Sequence, residues 1–190
     1  MLPADDVELG ARLRALRTER GISLRALSAE LGISPSALSQ MERGSKRPSV
    51  TRLFQILTVL DVPLSAAFGD PAGSDAAPAE PVVVTRAGEV PELSLGNGVT
   101  YRSLTPVPVS GAEVYETVYP PGSSSSQDTE YLRHTGHEMG TVTSGTLTVE
   151  VDGERYELGP GDGIRFPSAS PHRIHNAGER TAVAVWINLR

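Results

Sequence analysis

Apolar residues recur at helical spacing in the first third of the chain and at strand spacing after residue 81. Leu9, Leu13 and Leu16 give the face of a first helix; Asp5, Asp6 and Glu8 favour its start through the helix dipole, and Gly21 marks its end. Leu24, Leu27 and Leu31 form the face of a second helix, with Ser23 as its N-cap. Gly32 suits a turn that needs positive φ. Ser34 then caps a third helix with Pro35 at its first position, and Leu38 and Met41 point inward. Gly44 ends that helix and Pro48 lies beyond it. Ser49 caps a fourth helix with Leu53, Ile56, Leu57 and Leu60 on one face, and 63–68 adds a short fifth turn. The pattern predicts an all-α bundle of five helices. Its second and third helices, joined by a tight turn, make a helix-turn-helix, a motif whose second helix can enter a DNA major groove.

Residues 69–81, GDPAGSDAAPAEP, leave nothing to bury and read as a linker. Short alternating or β-branched runs follow at 82–86, 99–104, 113–119, 141–143, 146–151, 155–158, 163–166 and 181–188. Asp152-Gly153 is a hairpin signal. Many short strands with no helical pattern argue for an all-β barrel or sandwich. The expected organisation is a helical domain at 1–68, a linker at 69–81 and a β domain at 82–190. Gly122 to Gln127, GSSSSQ, reads as a long polar surface turn.

Composition changes this picture in one respect. The net charge of −6 argues against nucleic acid only if it is evenly spread. From Leu9 to Arg52 there are nine Lys or Arg against three Asp or Glu; from Pro71 to Arg190 there are eight against fifteen. A basic head on an acidic body suits a DNA-binding module joined to something else. With no cysteine, disulfides and thiolate metal sites are excluded. No apolar run is long enough to cross a membrane, and MLPADDVELG lacks the features of a signal peptide, so a cytoplasmic protein is expected.

The region from Leu9 to Phe68, with its run SPSALSQMERGSKRPS, resembles the XRE or phage-repressor family of helix-turn-helix proteins. The resemblance implies an ion pair between Arg17 and Glu42, and a phosphate contact from Arg25. It places Ser34, Pro35, Ser36, Ser39, Gln40 and Arg43 on the DNA-facing surface, Gln40 being the one long side chain able to read a base in two-point fashion. Lys46 and Arg47 would grip the backbone and set register. The second half resembles the small cupin barrel, a double-stranded β-helix or jelly roll. The likeness rests on His134-Thr-Gly-His-Glu138, on Gly159-Pro160-Gly161-Asp162-Gly163, and on Pro171-His172 with Asn176 following. The family's metal set would fall on His134, Glu138 and His172; Leu132 occupies the place of a further histidine. Two imidazoles and one carboxylate suit Fe(II), with Zn, Mn and Ni also acceptable. His134 and Glu138 reach one mouth only if the chain bends between them, which Gly136 permits. Tyr101 and Tyr115 are candidate pocket residues.

The resulting expectation is a transcription regulator. Its head binds a pseudo-palindromic double-stranded DNA operator, and its cupin senses a small-molecule effector or metal and supports a homodimer. Two alternatives are a non-haem iron oxygenase resembling hydroxypropylphosphonate epoxidase, and a DNA-binding protein with a metal-free cupin scaffold. The intact basic head favours a sensor over an enzyme.

Overall fold

The computed structural model describes residues 4–68, 84, 86–105, 111–126 and 130–189. The helical region holds α1 (Ala4–Glu19), α2 (Leu24–Glu30), α3 (Pro35–Glu42) and α4 (Val50–Val59). Here the structure corrects the expected count of five. Leu64–Phe68 is a 3₁₀ turn, because the five residues after Pro63 are too few for an α-helix that propagates its own hydrogen bonds. The expected caps form: Ser23, Ser34 and Ser49 each accept a backbone N–H three residues on. Leu13, Leu27, Leu38, Leu53, Ile56, Leu57 and Leu60 meet in one buried cluster. Gly10 sets the α1–α3 distance, since a Cβ there would lie 2.5 Å from the Met41 carbonyl oxygen.

The β region comprises β1 (Glu92–Ser94), β2 (Thr100–Ser103), β3 (Ala112–Tyr119), β4 (His137–Ser144), β5 (Leu147–Val151), β6 (Glu154–Leu158), β7 (Gly163–Pro167), β8 (His172–His175) and β9 (Ala182–Leu189). A six-stranded antiparallel sheet runs β1-β2-β3-β9-β4-β7, and a three-stranded one runs β6-β5-β8. Alternation along β9 buries Ala182, Ala184 and Trp186 between the layers. Gly140 on β4 admits the Trp186 ring; a Cβ there would lie 2.4 Å from Cε3. Asp152 and Gly153 both take positive φ and turn β5 into β6, as the Asp-Gly signal predicts. The expected linker at 69–81 lies outside the described residues, as does most of the run expected at 82–86.

The two regions touch along a long seam. The Pro48 carbonyl accepts from Gly96 N–H at 2.8 Å, and Thr51 N–H donates to the Ser125 carbonyl at 2.9 Å. Phe68 stacks on Tyr115 with ring centres 5.6 Å apart, and Ser65 N–H donates to Glu113. The serine segment before residue 127 is therefore a connector and not a surface turn. Ser123, Ser125 and Ser126 are buried, and Ser125 exchanges two bonds with Ile174 of β8. Its backbone finds partners on both sides, which outweighs its polar composition.

Candidate functional site

Helix α3 is held from below and open above. Leu38, Met41 and Glu42 are buried, while Ser34, Pro35, Ser36 and Gln40 are exposed and Ser39 is half-buried. Glu42 is fixed by a bidentate pair: Arg17 Nε lies 2.6 Å from Oε1 and Nη2 lies 2.9 Å from Oε2, both side chains buried. The remaining Arg17 nitrogen donates to the Ile22 carbonyl, so one guanidinium joins α1, the start of α2 and the end of α3. Arg25 and Lys46 are exposed on the same region of the chain. Arg43 is exposed and bonds Ser39 Oγ across one turn of α3. Arg47 is half-buried, and its Nε lies 2.5 Å from Asp6 of α1. An acid in the first turn of α1 thus already pairs with that guanidinium.

The second site lies in the cupin region, against α4. Gly136, at φ +97°, breaks the chain ahead of β4, so His134 and Glu138 converge although four residues separate them. His134 N–H is tied to the Ser168 carbonyl and Ser168 N–H to the Gly136 carbonyl, which fixes the bend. β8 supplies His172 from the facing sheet. Ligand atoms of His134, Glu138 and His172 all lie within 4.8 Å of one another. His134 Nδ1 meets the Thr135 carbonyl at 3.0 Å, and His172 Nδ1 meets the Ser170 carbonyl at 2.8 Å. Carbonyls only accept, so each Nδ1 carries its proton and each Nε2 is turned inward. His134 Nε2 lies 2.5 Å from Glu138 Oε1; His172 Nε2 lies 3.1 Å from the same oxygen but without hydrogen-bond geometry. Burial opposes charge on Glu138, but the flanking imidazoles outweigh it and lower its pKa to about 2.

This arrangement fits a divalent cation. Two imidazoles oriented by backbone carbonyls and one ionised carboxylate are a recurrent ligand set, and the buried His172 Nε2 has no hydrogen bond. The rings of Phe166, 5.0 Å from His172, and Phe54, 5.1 Å from His134, enclose it. Tyr101 and Tyr119 are buried nearby; burial, with the Glu138 charge adding to it, raises both phenol pKa values. The Tyr115 ring packs between Phe68 and Tyr101 at the seam. Phe54 escapes the sequence reading. Phe54 had one signal: with Val50 it forms an apolar pair four apart, off the Leu53–Ile56–Leu57–Leu60 face.

Residues 13–66 match a helix-turn-helix family and residues 115–188 match the cupin domain family. The chain is thus an XRE-type helix-turn-helix domain followed by a cupin domain, homologous over most of its length to HTH-type transcriptional regulators. Among these relatives is the regulator PuuR of Escherichia coli (strain K12), 29% identical over 175 residues, 88% of this chain and 86% of that one. The regulator SutR of the same organism is 29% identical over 178 residues, 91% of this chain and 89% of that one. A solved structure of an HTH_3-family transcriptional regulator from Vibrio cholerae covers 97% of both chains with a TM-score of 0.70 at 24% identity.

Proposed function

We propose that this protein is a DNA-binding transcriptional regulator. In this reading α3 enters the major groove, and His134, Glu138 and His172 of the cupin hold a divalent metal that takes part in sensing a small-molecule effector. The observation that carries the DNA reading is the division of α3. Its inner face is locked by the Arg17–Glu42 pair, and its outer face presents Ser36 and Gln40 to solvent. Arg25 and Lys46 are exposed and suit phosphate contacts, with Arg47 shared between Asp6 and the DNA backbone.

A bound Fe, Zn, Mn or Ni ion would supply Lewis acidity and open positions for the effector's donor atoms. The chain's own residues do the rest. The Thr135 and Ser170 carbonyls hold both imidazoles with Nε2 inward, Glu138 supplies the charge, and Phe54 and Phe166 exclude water. The same three ligands would serve an oxygenase, but the relatives similar over about nine-tenths of this chain are named as transcriptional regulators. That favours sensing over catalysis. A single α3 with one long base-reading side chain gives weak affinity, so the working unit is a homodimer on a pseudo-palindromic operator. Such a regulator acts in the cytoplasm; among the described residues no helix is long and apolar enough to cross a membrane.

Metal analysis of the purified full-length protein tests the sensing half. Roughly one ion per chain is expected, lost in His134→Ala while the fold's circular dichroism is kept. Wild type without metal after loading with Fe(II), Zn(II), Mn(II) and Ni(II) in turn would leave a metal-free scaffold.

A further inference from the structure

Helix α4 belongs to the DNA-binding domain by sequence, yet it carries a wall of the cupin site. Phe54 is 9% exposed, and its ring lies 5.1 Å from that of His134 with 26° between the planes. His134 meets His172 edge-on at 5.5 Å. His134 is also held at Nδ1 by the Thr135 carbonyl, at Nε2 by Glu138 Oε1, and through its backbone N–H by the Ser168 carbonyl. His134 precedes β4, and these partners all belong to the cupin region. Phe54 is the contact that comes from the helical region, stacked on the face of the ring whose Nε2 meets Glu138.

The same helix is anchored beside the site. Thr51 N–H and Oγ1 both point at the Ser125 carbonyl, at 2.9 and 3.2 Å, and Ser125 is bonded in turn to Ile174, two residues after His172. Arg52 donates to the Leu31 carbonyl, at the turn before α3, and to Glu130, at the start of the segment leading to His134. The placement of α4, and with it the helix-turn-helix, is therefore tied to the segments that carry His134 and His172.

We propose that Phe54 is a positioning residue of the metal site, and that through it metal binding and the docked placement of the DNA-binding head are thermodynamically linked. The proposal rests on the metal reading above. With α4 docked, the stacked ring helps hold His134 ready to bind; with α4 displaced, His134 loses that face-on contact and the metal binds more weakly. Linkage is reciprocal, so the metal must favour docking by the same factor.

The test uses the full-length protein with Mn(II) alone as probe. Calorimetry should show Phe54→Leu, which keeps apolar volume and loses the ring, binding Mn(II) about three- to tenfold more weakly than wild type. Arg52→Met touches no ligand and should weaken binding in the same direction, by less. Hydrogen exchange gives a second readout at the Thr51 amide, which bonds across the seam. Mn(II) should slow its exchange in wild type and have no such effect in Phe54→Leu. Unchanged Mn(II) affinity in Phe54→Leu overturns the proposal and leaves the metal site standing. So does a Thr51 amide indifferent to Mn(II) in wild type, a result that does not depend on any variant folding. Wild type that binds no Mn(II) overturns the proposal and the metal reading together.

Discussion

Arg17 and Glu42 are twenty-five positions apart and both 7% exposed, joined by two hydrogen bonds. Two buried charges are tolerated because each satisfies the other and the spare guanidinium nitrogen reaches a backbone carbonyl. Removing one partner strands the second in a low-dielectric environment. Arg17→Met should cost about 3–5 kcal/mol of stability in urea unfolding, and the Arg17→Met/Glu42→Met double variant clearly less than that. A single variant within about 1 kcal/mol of wild type would mean that solvent reaches the pair. At this scale the sequence was informative where a side chain has one plausible partner. Arg17 and Glu42 follow from the family resemblance, and the three serine caps follow from their positions before apolar periodicity. The Arg47–Asp6 pair had no such signal, since nothing in the spacing brings the start of α1 to the end of α3.

Among the elements, α3 is the one whose two faces do different work. Gln40 is exposed near its C-terminal end, and Lys46 follows in the loop beyond. Gln40→Ala should relax base preference at one position per half-site. Lys46→Ala should weaken all duplexes alike and reduce the slope of log K against log salt by about one. These outcomes are read from binding isotherms on a matched set of single-base operator variants at several salt concentrations. A uniform loss in Gln40→Ala would remove it as a base reader. The helices were legible because each pairs an apolar face with a capping serine. Two strands were not: β1 has three residues and β8 four, too short for alternation to register. The serine segment at 122–126 was misread for a related cause. Its burial comes from backbone pairing with β8 and α4, and composition does not report which carbonyl a backbone N–H will meet.

On the scale of the whole molecule, the chain joins a basic reader to an acidic barrel across a seam that composition does not reveal. Each half could be recognised from its own motif. How they meet could not, because Phe54, Thr51 and Ser125 belong to no motif and acquire their contacts from the packing of α4 over the mouth of the cupin. The three metal-ligand candidates were legible from the cupin motifs, while the aromatic enclosure from α4 was not. DNA recognition is measured by the affinity of the full-length protein for an operator selected from random duplexes, set against its affinity for unselected duplex across a range of salt. A regulator reading bases through α3 should bind the selected sequence at least about 10³-fold more tightly, with half-sites about one helical turn apart. Equal affinity for selected and unselected DNA at every salt concentration, or no binding at all, would contradict the account.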